Sequence, residues 1–163
     1  MKIEKVIGDY VELLDKIFDG LNNLGIQEGE LRGLDHIAYR TQDIQKYDDI
    51  KKELIPFFDK YNEKKFGGRL ILVGRFKKPL KYRQFIISGF ELLAPKEHNK
   101  FKNGLEHAEF VLVKSLNNFY ESHKNIKFNL DAYDRQENPE LIIDFKNYAV
   151  KFHEVSLLKV KEV

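Results

Sequence analysis

Gly104-Leu105-Glu106-His107-Ala108-Glu109-Phe110-Val111-Leu112-Val113 decides the reading of this chain. It opens on a turn residue and an acid, sets one histidine at the mouth of a run, and continues into apolar, β-branched and aromatic residues. That is the profile of a core strand. Gly33-Leu34-Asp35-His36-Ile37-Ala38-Tyr39 opens in the same way. Gly-Leu-acid-His, twice, reads as an internal repeat. Two copies of one strand can bring two histidines together.

Outward from the first copy, strand 34–41 points His36, Ala38 and Arg40 one way and Ile37 and Tyr39 the other. The pattern then predicts a helix over 44–61, with Pro56 as its end or a kink, and a turn at Phe66-Gly67-Gly68. Strands follow over Arg69–Phe76, interrupted by Gly74, then Tyr82–Ile87 and Phe90–Ala94, with Ser88-Gly89 as a tight connection. A polar loop covers 95–104. The second copy predicts strand Glu106–Val113, helix Ser115–His123, and strands Ile126–Leu130, Leu141–Phe145 and Tyr148–Leu157, with a charged end that frays. Before both copies, Ile3, Ile7, Tyr10, Leu14, Ile17, Phe18, Leu21 and Leu24 mark an amphipathic helix over 3–24, stopped by Gly25.

Both halves thus read β-α-β-β-β. The predicted fold class is α+β: paired modules forming one curved mixed sheet with outer helices, plus the N-terminal helix. One domain spans 1–163, with helix and connector over 1–32, module 1 over 33–95 and module 2 over 104–158. Alternation alone does not select this topology; the repeat does.

Composition narrows the chemistry. With 42% hydrophobic and 33% charged residues, the 163-residue chain is globular rather than disordered. It shows neither a membrane-spanning run nor a signal-peptide pattern, so a cytoplasmic protein without membrane partners is expected. A formal charge of +2 gives no reason to propose nucleic acid. No cysteine is present, which leaves imidazole and carboxylate as the metal-binding groups.

Those groups recur in the strand patterns. Superposing the halves matches His36 with His107. It also aligns Phe90-Glu91-Leu92 with Phe152-His153-Glu154, so that Glu91 answers His153. The expected cluster is His36, Glu91, His107 and His153, a donor set suited to a divalent Zn, Fe, Mn, Co or Ni ion. A lone strand histidine is more often a hydrogen-bonded residue than a ligand, so the case rests on matched placement. Glu109 follows His107 on the same face, where it serves as a base, orients a ligand or pairs with Arg40. Arg40 and Arg69 can reach a cavity and bind a substrate carboxylate; Arg75 fits a surface salt bridge better.

Leu34-Asp35-His36-Ile37, Gly68-Arg69, Phe90-Glu91-Leu92, Gly104-Leu105-Glu106-His107 and Val150-Lys151-Phe152-His153, in this order, resemble the YecM-like family of the vicinal oxygen chelate superfamily. The resemblance covers nearly the whole chain. It implies a metal-centred cup between paired modules, with ligand slots at His36, Glu91, His107 and His153. Many members of the superfamily carry glutamate in the last slot, so His153 argues against transferring glyoxalase chemistry. The leading expectation is a metal-dependent isomerase, lyase or oxygenase acting on a small oxygenated or carboxylate-bearing molecule. The alternatives are a non-catalytic module that sequesters a small ligand in the same cup, and a structural relic. Either a monomer or a homodimer is compatible with two modules on one chain.

Overall fold

The computed structural model describes residues 2–96 and 102–163. The chain runs α1 (Glu4–Ile7), α2 (Tyr10–Asn23), β1 (Leu31–Arg40), α3 (Ile44–Leu54), β2 (Phe58–Phe66), β3 (Arg69–Tyr82), β4 (Phe85–Leu93), β5 (Gly104–Leu112), α4 (Leu116–Ser122), β6 (Leu141–Asp144), β7 (Ala149–His153) and α5 (Leu157–Val160). Among the described residues, seven strands form one mixed sheet in the order β2-β3-β4-β1-β5-β7-β6. The two repeat copies, β1 and β5, pair antiparallel at its centre. On either side a module-closing strand joins in parallel: β4 beside β1, and β7 beside β5. The paired modules predicted from the repeat are present.

Strand periodicity sorts side chains between the two faces. Ile37, Phe90, Leu92, Ala108, Phe110, Val150 and Phe152 are all fully buried. They share the face covered by α2, whose Phe18 ring lies 5.4–5.6 Å from Tyr82, Phe85 and Phe110. Burying one such ring contributes about 1.5–3 kcal/mol. The intervening residues, including His36, Glu91, His107, Glu109 and Lys151, belong to the other face.

Several local expectations change. The N-terminal helix is two pieces, because Gly8 takes a left-handed φ of 87° and Asp9 caps α2 through the Val11 and Glu12 amides. The predicted 44–61 helix stops at Leu54; Pro56 lies in a one-turn 3-10 helix, and β2 begins at Phe58. This edge strand is mostly exposed, so it carries no apolar alternation to announce it. Gly74 and Gly89 do not break strands. They lie within β3 and β4, whose hairpin turns at Arg83-Gln84 instead.

In module 2, the strand expected at Ile126–Leu130 is reduced to one bridge, Asn129 to Ile142. The final strand ends at His153, not Leu157. The tail expected to fray is docked: Leu157 and Val163 are buried in a small cluster with Val73. The predicted loop over 95–104 falls partly outside the described residues. Among the described residues, no helix is long and apolar enough to cross a membrane.

Candidate metal centre

The ladder registers bring distant residues together. His36 lies opposite Glu109 and Ala38 opposite His107 across β1 and β5. Glu91 lies beside Ala38 on β4, and Lys151 beside Glu109 on β7. One ligand atom from each of His36, Glu91, His107 and Glu109 falls within a group whose members all lie within 4.8 Å of one another. All four residues are buried.

Glu109 is the hub. Its Oε1 lies 3.2 Å from His107 Nε2, 3.4 Å from His36 Nε2 and 2.8 Å from the Lys151 ammonium. Its Oε2 faces His153 Nε2 at 3.7 Å. Glu91 approaches His107 Nε2 at 3.5 Å.

The opposite nitrogen of each ring faces an acceptor. His36 Nδ1 donates to Asp35 at 2.9 Å and His153 Nδ1 to Asn138 at 3.3 Å. His107 Nδ1 faces Glu106 at 3.6 Å, beyond hydrogen-bond length. Once the ring is neutral, an acceptor at Nδ1 favours the tautomer whose Nε2 lone pair is free for a metal. The acid of the first Gly-Leu-acid-His copy is thus the hydrogen-bond partner of its own histidine, whereas that of the second only faces its histidine. Sequence reasoning missed this role for Asp35, although the repeat displayed the acid. Asp35 also accepts from the Leu157 amide at 2.9 Å, which ties α5 to the site.

His153 does not join the group within 4.8 Å, although it is fully buried behind Glu109. Register explains why. His36 pairs with Gly89 and His107 with Ala149, so aligning the two histidines makes Lys151, not His153, the counterpart of Glu91. The equivalence read from sequence was displaced by two residues along β7.

The charges are mutually dependent. Burial works to lower His36 and His107, yet the surrounding carboxylates win. His36 is raised well above its ordinary value and His107 is pushed up to about 9. Burial works to raise Glu109 and Glu91. Lys151 and the imidazoles hold Glu109 well below the usual carboxylate range, and His107 with Lys151 holds Glu91 below it. Burial leaves His153 lowered, a neutral ring at pH 7.

The centre opens into a cavity of about 660 Å³. Arg40 and Arg69 line it. Arg40 pairs with Glu106, not with Glu109. Nη1 of Arg69 is buried without a hydrogen-bond partner among the described residues. Arg75 is away from the centre, in a bidentate surface pair with Asp59 at 2.9 Å.

Gly89 is required by close approach. A Cβ there would meet the Cβ of His36 at 2.8 Å and the Asp35 carbonyl at 3.1 Å. Neither atom is the free end of a flexible side chain. Gly89→Ala is expected to cost about 1–3 kcal/mol of stability and to reduce metal uptake by moving His36. Thermal melts and metal content of the purified variant read both effects; a wild-type value for each would refute the contact argument.

The sequence model of the family described as YecM protein matches residues 2–163. No curated protein matches. A solved structure described as "Structural Genomics, Protein EC4020" is 19% identical and superposes with a TM-score of 0.70, covering 99% of this chain and 96% of its own. A variant of Streptomyces coelicolor methylmalonyl-CoA epimerase bound to 2-nitronate-propionyl-CoA is 13% identical, with a TM-score of 0.53 over 76% of this chain and 96% of that one. A methylmalonyl-CoA epimerase complex with methylmalonyl-CoA and NH4+ is 13% identical, with a TM-score of 0.54 over 76% and 94%.

Proposed function

Since the chain belongs to the YecM protein family and has the vicinal oxygen chelate fold, we propose that it is a metal-dependent enzyme acting on a small, carboxylate-bearing molecule. The observation that carries this reading is the convergence of His36, Glu91, His107 and Glu109 in one buried group beside a cavity.

The residues fit a divalent ion. Nε2 of His36 and Oε2 of Glu109 are buried without a hydrogen-bond partner among the described residues. Orphaned groups of this kind are costly unless something else satisfies them. Two imidazoles and two carboxylates suit a first-row divalent ion such as Zn, Fe, Mn, Co or Ni. His36, Glu91, His107 and Glu109 would hold it, with His153 supporting Glu109 from behind. When bound, such an ion stabilises negative charge on a substrate oxygen.

The chain's own groups do the rest. Arg69 holds the substrate carboxylate through its unpartnered guanidinium nitrogen, and Arg40 lies beside it on the same wall. Glu109 is the ligand that can step back and exchange a proton with substrate. Its two oxygens face different partners, so one can work while the other stays held. Asp35 keeps the His36 imidazole oriented throughout.

The substrate assignment is tested with Co(II)-loaded protein. Small carboxylates are expected to perturb the visible Co(II) bands. Arg69→Gln should weaken their binding about tenfold to a hundredfold, the contribution of a hydrogen bond to a charged group. Spectra indifferent to every carboxylate, or an Arg69→Gln variant that responds like wild type, would sink it.

A further inference from the structure

We infer that Lys151 is a built-in competitor of the metal: its ammonium occupies Glu109 in the metal-free protein and moves to Glu140 when a divalent ion enters. This rests on the metal-binding reading above and adds a residue that sets how tightly the centre binds.

Three observations carry it. First, Lys151 is the structural counterpart of Glu91, so one module supplies a carboxylate where the other supplies a cation. A protonated lysine has three donors and no acceptor, and cannot be a ligand. Second, its ammonium lies 2.8 Å from Glu109 Oε1, the oxygen that also faces His36 Nε2 and His107 Nε2. An ammonium and a divalent ion therefore compete for one carboxylate. Third, the ammonium has a second acid within reach. Oε2 of Glu140 lies 3.8 Å away, and Glu140 is itself buried at 7% exposure. A four-carbon stem with free torsions can cover that distance without its charge losing a partner.

The test is the Zn(II) affinity of the full chain, measured by competition with a chromophoric chelator at fixed pH. Lys151→Met should bind Zn(II) at least tenfold more tightly than wild type, because the competing charge is gone. Glu140→Gln should bind about tenfold more weakly, because the ammonium has lost its alternative partner. Lys151→Arg keeps the charge and should stay within about threefold of wild type; it separates charge from packing if Lys151→Met folds poorly by circular dichroism. Equal affinity in wild type and in folded Lys151→Met overturns the inference and leaves the metal site standing. So does a tightening in Lys151→Arg equal to that in Lys151→Met. Tightening in Lys151→Met with no loss in Glu140→Gln overturns the transfer to Glu140. If neither wild type nor Lys151→Met takes up Zn(II), the metal-binding reading itself fails.

Discussion

Alanine at both His36 and His107 is expected to abolish stoichiometric binding of divalent metal, with a loss of affinity of at least about a thousandfold. The two imidazoles supply the nitrogen donors of the group that converges within 4.8 Å. Losing an outer-shell partner alone typically costs about 10–100-fold in metal affinity; losing two direct donors costs more. What would be left is Glu91 and Glu109, and Glu109 is already engaged by Lys151. Elemental analysis of tag-free protein reads the stoichiometry directly. A second readout is thermal stability, since a ligand present at about 100 times its Kd stabilises the native state by about 2.7 kcal/mol. Wild type should therefore melt higher with Zn(II), and the double variant should melt at the same temperature with and without it. A double variant that keeps one tightly held ion per chain would remove the basis of the proposed function.

Raising the pH should strengthen metal binding and weaken the metal-free protein. His107 has a pKa of about 9 in the folded metal-free chain and His36 is also raised well above its ordinary value, because both rings face buried carboxylates. A raised pKa means that the folded state prefers the proton. The corresponding stabilisation is complete below the ordinary histidine value near 6.5 and disappears as pH rises through about 9. A metal that takes Nε2 must displace that proton. Its apparent affinity should climb about tenfold per pH unit for each proton released. The lowered pKa values of Asp35, Glu91 and Glu109 work in the other direction. Their stabilisation is present above the ordinary carboxylate range and is lost as pH falls through their depressed values. Melts of metal-free protein from pH 6.5 to 9.5, with Zn(II) affinities over the same interval, measure both trends. An affinity flat between pH 7 and 9 would show that neither imidazole holds its proton there.

Much of this architecture is written locally. Gly-Leu-acid-His occurs twice, and each copy begins a central strand. Alternation places His107 and Glu109 on one face of their strand, and the repeat assigns His36 to the matching face of the other, before any partner strand is known. The apolar spacing of α2 likewise states which side of the helix is buried. The edge strand β2 was illegible because most of its side chains are exposed, so its sequence carries no burial pattern. Gly74 and Gly89 looked like strand breakers. Their role is to admit Phe58 and His36, residues remote in sequence that a Cβ would strike at 2.7 and 2.8 Å.

The sequence by itself determined that two related strands would offer histidines to a shared face, because side-chain direction along a strand follows from its backbone period. Which residues then met was decided by the ladders between strands. A shift of two residues along β7 preserves every facing direction and hydrophobic pattern, yet it exchanges His153 for Lys151 beside Glu109. Register depends on cross-strand hydrogen bonds and packing between distant segments, and only the tertiary structure holds that information.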